Sequence, residues 1–198
     1  MFQIPNLITI LRIALVPVFA VAFVLPSDAW QIVAFVVFVI AGVSDFFDGF
    51  AARKLNQGSD FGRMLDPIAD KILVGVALMM LVWKGSVEEF ALAPNLSSLL
   101  RLVPALIILA REILVSGLRE FLAGVSVSVP VTFLAKIKTT IQLVAIGAMI
   151  LGPIADRWLP GSLALAYTAL WVAAGLTVYT GYEYLRAGLA YTQRRRAI

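Results

Sequence analysis

Six long apolar runs, separated by short polar or Pro/Gly-bearing breaks, dominate the chain: residues 7–25, 30–50, 68–84, 97–122, 133–152 and 162–188. Their length and their bounding breaks read as helices rather than strands. About 20 consecutive, mostly apolar residues suffice to cross the hydrocarbon of a bilayer. The expectation is an all-α integral membrane protein with six transmembrane helices, forming a single domain over residues 1–198. Residues 1–29 also admit a cleaved signal peptide, with an apolar core at 13–24 and Ser27-Asp28-Ala29 as a cleavage-like site. Arg12 follows an already apolar stretch and is not part of a compact basic start, so the helix is preferred.

Composition sharpens this picture. The 198 residues are 61% hydrophobic and 14% charged, against about 25% charged in soluble domains. Six spans with short loops leave no length for a soluble domain. Cysteine and histidine are both absent, which removes disulfides, thiolate nucleophiles, the usual zinc sites and imidazole acid/base chemistry. Any chemistry must run on carboxylates and cations. No solenoid repeat, heptad pattern or low-complexity tract is present.

The net charge of +4 reads as a topology signal and as partners for anionic lipid headgroups, not as a nucleic-acid surface. With a cytoplasmic N-terminus, the inner side receives Arg12, Arg53, Lys54, Arg63, Lys71, Arg119, Lys136, Lys138, Arg186 and Arg194 to Arg196. Lys84, Arg101 and Arg157 fall outside, and Arg111 lies within the fourth span. Both termini are therefore expected in the cytoplasm. Trp30, Trp83 and Trp158 all fall at the expected outer boundary, where indoles favour the headgroup level. The basic tail ending at Arg196 suits a membrane-surface anchor.

The stretch from Val43 to Lys71 carries five aspartates. On a helix, Asp45 and Asp48 share a face that Gly49 and Ala52 continue with almost no side chain. Gly62, Asp66 and Asp70 recur at spacing four, with Pro67 suited to a first helical turn or a kink. A single aspartate near a span end is most simply a cap or a solvated charge. Four on two one-sided faces ask for something cationic between them, because buried like charges are costly. Two divalent ions balance four carboxylates, and all-oxygen ligands select magnesium, calcium or manganese. Ion pairs with Lys71 and Arg53 are the competing arrangement.

The pattern Asp45-x2-Asp48-Gly49-x2-Ala52-Arg53-x8-Gly62-x3-Asp66-x3-Asp70 resembles the signature of the CDP-alcohol phosphotransferases at every fixed position. Asn6, Thr9 and Arg12, together with the segment from Ala110 to Glu120, resemble the phosphatidylglycerophosphate synthases within that family. The resemblance implies transfer of a phosphatidyl group from CDP-diacylglycerol to glycerol 3-phosphate, with CMP leaving. It implies Asp45, Asp48, Asp66 and Asp70 as ligands of Mg2+ or Mn2+, two ions per site, with Asp70 also the general base. It places Asn6, Thr9, Gly49, Ala52, Arg53 and Gly62 at the CDP moiety. Helix packing through small residues is the competing role for the glycines and alanine, and an N-cap for Asn6.

A phosphorylated acceptor asks for cations, and Arg111, Arg119, Lys136 and Lys138 are the candidates. An intramembrane guanidinium normally faces a partner or polar cavity. For Arg111, pairing with Glu112, Glu120 or another acid is the competing reading; for the lysines it is snorkelling. Thr139 and Gln142 continue the lysine helix without a distinctive signal. The resemblance further implies a homodimer in the bacterial inner membrane, with its active site facing the cytoplasm and the lipid leaflet. Gly161, Gly175, Gly181 and Gly188 suggest close helix contact along the last span. Two alternatives stand beside this reading. One is the same reaction with phosphatidylglycerol, an inositol phosphate or serine as acceptor; the other is a divalent-cation transporter, since intramembrane acids also mark ion paths.

Overall fold

The computed structural model describes residues 4–55, 60–88, 96–125 and 133–196, with some side chains inside those ranges, among them residues 45–55, Asp66 and Lys136, outside the described set. The described chain is all-helical: α1 (Ile4–Val24), α2 (Asp28–Leu55), α3 (Asp60–Glu88), α4 (Leu96–Gly124), α5 (Phe133–Trp158) and α6 (Ser162–Arg196). Each expected apolar run forms the body of one helix. Three of the helices hold described stretches long and apolar enough to cross a membrane: Asn6–Val24, Ile137–Trp158 and Ser162–Arg186. In α2 the corresponding apolar stretch is the shorter Asp28–Ser44, while α3 and α4 are interrupted by charged residues, including Asp70, Lys71, Arg111 and Glu112.

Several helices extend past their apolar runs. Helix α2 continues to Leu55 through Ala51, Ala52, Arg53 and Lys54, all good helix formers. Helix α3 begins at Asp60, so Pro67 lies in its interior and not in its first turn. The motif thus straddles the ends of two apolar runs: Asp45, Asp48, Gly49 and Asp70 lie within them, and Ala52, Arg53, Gly62 and Asp66 on the helical extensions. Apolarity marks where packing stabilises a helix; hydrogen bonding propagates further.

The helices form a ring. Going round, α1 packs on α2, α2 on α5, α5 on α6, α6 on α4, α4 on α3 and α3 on α1, with α3 also touching α2 and α5. Phe19, Phe23, Phe38, Leu73, Leu78, Ile108, Ile146, Ile150 and Leu170 are buried in the middle. Phe19 meets Phe23 and Phe38 at ring-centroid distances of 5.7 and 5.9 Å, both tilted, a geometry aromatic quadrupoles favour. The outside is apolar as well: Val18, Val21, Val36, Met79, Leu106, Ile113, Val144, Leu165 and Val178 are exposed. Apolar exposure spread over several helices marks a surface that meets something other than water.

Close approach between α4 and α6 depends on two glycines. A Cβ at Gly181 would lie 3.0 Å from Arg111 Cγ, and one at Gly188 would lie 2.8 Å from Leu118 Cδ1. Both pairs are seven residues apart on their own helices, so α4 and α6 run parallel in register over two turns. Gly175 faces open space. Gly161, at φ +94°, sits in the α5–α6 turn, a conformation glycine adopts without steric cost. Asp156 Oδ1 accepts from the Gly161 and Leu163 amides at 2.9 and 3.1 Å, capping α6.

One end of the bundle joins the α1–α2 and α5–α6 turns. There Arg157 donates two hydrogen bonds to Asp28, at 2.7 and 3.0 Å. Lys84 donates to Gln31, whose amide donates to the Ile150 carbonyl at 2.6 Å. A cavity of about 340 Å³ lies among these groups beside Trp83. The start of α1, the end of α2, the start of α3 and the start of α5 lie at the opposite end.

Candidate active site

Asn6, Thr9 and Arg12 occupy one face of α1 at spacing three, and each is only 1% exposed. Asn6 lies inside the helix and does not cap it. Arg12 Nε donates to Ser44 Oγ at 3.4 Å, and that hydroxyl donates to the Ala41 carbonyl at 2.8 Å. A buried guanidinium near the middle of α1 is thereby set against α2, one residue before Asp45. Polar groups are buried here because they are bonded.

Asp45, Asp48, Gly49, Ala52 and Arg53 lie on α2, and Gly62, Asp66 and Asp70 on α3. These two helices touch each other, and both touch α5. The side chains of Asp45, Asp48, Ala52, Arg53 and Asp66 lie outside the described residues. Gly62 is buried and Asp70 half-buried.

Three described charges, Arg111, Glu112 and Lys138, gather where α4, α5 and α6 meet. Lys138, 3% exposed, donates to Glu112 Oε1. Arg111 Nη1 donates to the same oxygen at 3.4 Å. Arg111 also crosses onto α6, donating from Nε to the Thr177 carbonyl at 3.0 Å and from Nη2 to Thr180 Oγ1 at 2.8 Å. The absence of a side chain at Gly181 leaves room for this crossing. The Lys138 ammonium lies within Coulombic reach of Glu112, Arg111 and Asp70, which ties the cluster to α3 and to one acid of the motif.

The pairing of Arg111 with Glu112 that the sequence raised as a competing role is therefore present. It leaves two cations on one carboxylate. A guanidinium fork beside an ammonium suits a dianionic phosphate, the first supplying planar paired donors and the second a point charge. Lys138 does not snorkel: it is buried and turned to Glu112. Arg119 is exposed and joins no hydrogen bond among the described residues, and the Lys136 side chain lies outside them.

Sequence reasoning passed over Glu112 as a site residue and missed Thr177 and Thr180 altogether. The available signal was Thr177, Thr180 and Gly181 at offsets of three and four on an otherwise apolar helix. Gln142, which carried no distinctive signal, is 2% exposed, four residues after Lys138.

The chain matches the model of the CDP-alcohol phosphatidyltransferase family over residues 2–179. It is similar to proteins named CDP-diacylglycerol–glycerol-3-phosphate 3-phosphatidyltransferase in several bacteria. The Rickettsia bellii protein is 46% identical over 96% of this chain and 97% of its own length. The Pectobacterium atrosepticum protein is 39% identical over 94% of each, and that of Bacillus subtilis 39% identical over 93% and 94%. With the family model covering nearly the whole chain, and relatives this similar aligned almost end to end, the chain belongs to the CDP-alcohol phosphatidyltransferase family and is an enzyme of that class.

Proposed function

We propose that this chain transfers the phosphatidyl group of CDP-diacylglycerol to glycerol 3-phosphate, giving phosphatidylglycerophosphate and CMP. The observation that carries the reading is the convergence of Arg111 and Lys138 on Glu112, with Asp70 of the motif near Lys138. A phosphate held there brings the rest of a short acceptor toward the motif aspartates. The names of the relatives support the same donor and acceptor.

Asp45, Asp48, Asp66 and Asp70 are the residues that would hold divalent ions. Four carboxylates on neighbouring helices, in a chain without histidine or cysteine, fit hard cations such as Mg2+ or Mn2+. Two such ions, when bound, supply neutralisation of the diphosphate and of the charge on the leaving phosphate. Asp70 takes the proton of the attacking hydroxyl, which requires only hydrogen-bond reach and a local field that acidifies that hydroxyl. Asn6 and Thr9, with Arg12 beside them, present donors from the buried face of α1 to the donor's diphosphate. Gly49, Ala52, Arg53 and Gly62 line the nucleotide. Arg111 and Lys138, assisted by Arg119 and Lys136 from the same end of the bundle, orient the acceptor phosphate.

All six helices span the bacterial inner membrane in this reading, with both termini and the active site on the cytoplasmic side. The apolar exterior, the excess of Lys and Arg at the motif end and the tryptophans at the other support this placement. A lipid donor and a water-soluble acceptor then meet where the site opens to both the inner leaflet and the cytoplasm. The chain acts as a homodimer.

The test supplies purified protein with CDP-diacylglycerol and, separately, glycerol 3-phosphate, phosphatidylglycerol, serine and inositol phosphate, and measures CMP. Release with glycerol 3-phosphate supports the proposal. Release with another acceptor alone would overturn it.

A further inference from the structure

Two buried side-chain oxygens near the cation cluster have no hydrogen-bond partner among the described residues: Gln142 Oε1 and Thr177 Oγ1. Thr177 is fully buried and Gln142 2% exposed. A threonine in a helix ordinarily satisfies its hydroxyl on the carbonyl four residues back. Thr168 does so onto Ala164 at 2.9 Å, and Thr180 onto Leu176 at 3.0 Å. Thr177, on the same helix, does not. Leaving a buried polar atom unbonded is costly, so such atoms mark places where a partner is to be supplied.

Their location identifies the partner. The Thr177 carbonyl accepts from Arg111, and Arg111 shares Glu112 with Lys138. Helices α5 and α6 are antiparallel and meet at Gly152, where an added Cβ would lie 2.7 Å from Leu163 Cδ1. Lys138 lies fourteen residues before Gly152 and Thr177 fourteen after Leu163, which puts them at the same level of the hairpin. Gln142 is one turn beyond Lys138 on the same face. Gln142 and Thr177 thus lie at the level of the Arg111 and Lys138 cluster, Thr177 with its carbonyl bonded to Arg111.

We infer that Thr177 and Gln142 recognise the non-reacting hydroxyl of a polyhydroxy phosphomonoester acceptor whose phosphate sits on Arg111 and Lys138. This rests on the proposed acceptor seat and adds to it a determinant of specificity. Gln142 Oε1 can only accept, so the substrate hydroxyl donates to it; Thr177 Oγ1 donates to the hydroxyl oxygen. Glycerol 3-phosphate has one such hydroxyl besides the primary one that attacks. A site with polar atoms placed for a hydroxyl rejects the analogue that lacks it, because those atoms then stay unpaired.

The experiment compares kcat/KM for glycerol 3-phosphate and for 3-hydroxypropyl phosphate, which keeps the phosphate and the primary hydroxyl but lacks the middle one. The native protein prefers glycerol 3-phosphate by about tenfold or more. Thr177→Val and Gln142→Met each reduce that preference several-fold, mostly through KM for glycerol 3-phosphate, with KM for CDP-diacylglycerol unchanged. Thr177→Ser, which restores a hydroxyl, retains it. Equal losses on both acceptors, or an unchanged preference in both variants, overturn the assignment, since a merely structural role does not distinguish the two substrates. Arg111→Met separates the two layers of the reading: it raises KM for both acceptors alike. If it leaves both unchanged, the phosphate seat is wrong and this inference falls with it. If it behaves as expected while the preference does not move, only the hydroxyl contact is wrong.

Discussion

Arg111 on α4 lies across Gly181 on α6, so closely that a Cβ at position 181 would stand 3.0 Å from its Cγ and 3.3 Å from its Nε. This contact allows the guanidinium to reach the Thr177 carbonyl and the Thr180 hydroxyl, where the proposed acceptor phosphate would meet it. Gly181→Val should displace Arg111 and raise KM for glycerol 3-phosphate by about tenfold, the scale of one charge-assisted hydrogen bond. KM for CDP-diacylglycerol should hold. Steady-state kinetics with each substrate varied in turn decide it, and a rise confined to the donor would show that Arg111 serves the other substrate.

Glu112 bridges Arg111 and Lys138 in a largely buried setting, with side-chain exposures of 14%, 12% and 4%. Removing one partner of such a pair leaves uncompensated charge, at a cost of about 3–5 kcal/mol in fully buried cases and less here. Glu112→Gln should lower the thermal unfolding temperature in detergent. Adding Lys138→Met should recover part of the loss, a non-additivity expected only of residues in contact. Strictly additive shifts would mean the bridge contributes nothing.

The ion pair at the other end of the molecule provides a contrast. Arg157 and Asp28 are about half exposed, at 61% and 55%, and exposed pairs contribute about 0–1 kcal/mol. Asp28→Asn should leave CMP release within about twofold of the native value and barely move unfolding. A large kinetic effect would place function at the wrong end of the bundle.

The proton-transfer role proposed for Asp70 predicts that Asp70→Asn nearly abolishes CMP release while CDP-diacylglycerol still binds, as equilibrium binding of the labelled donor would show. General acid–base groups contribute roughly 10²–10⁴ in rate. Turnover near the native level would remove Asp70 from that role.

The six helices were legible because each is built on an apolar run that any bilayer-spanning or buried helix needs. Their ends were not, since α2 and α3 continue as helix through polar residues on which hydrophobicity is silent; Pro67 accordingly falls inside α3. That the motif aspartates lie on two helices was legible from spacing, because offsets of three and four suit a helix without knowledge of its neighbours. What joins Glu112 to Lys138, or Arg111 to Thr177 and Thr180, is the rotation and register of three helices against one another. That relation is not local, so Gln142 and Thr177 looked ordinary until α4, α5 and α6 were packed. Gly181 and Gly188 did announce close contact, and Gly175 on the same helix gave the same signal while facing open space.

The central claim is that acids on α2 and α3 hold divalent ions on which the donor's pyrophosphate is gripped. It is tested most directly by CMP release from CDP-diacylglycerol and glycerol 3-phosphate after exhaustive chelation, followed by titration with Mg2+ or Mn2+. The account predicts no release in the chelated protein and recovery on adding either ion, with Asp45→Asn, Asp48→Asn and Asp66→Asn recovering poorly at any concentration. Full release from chelated protein, or recovery in those three variants equal to the native chain, would contradict it.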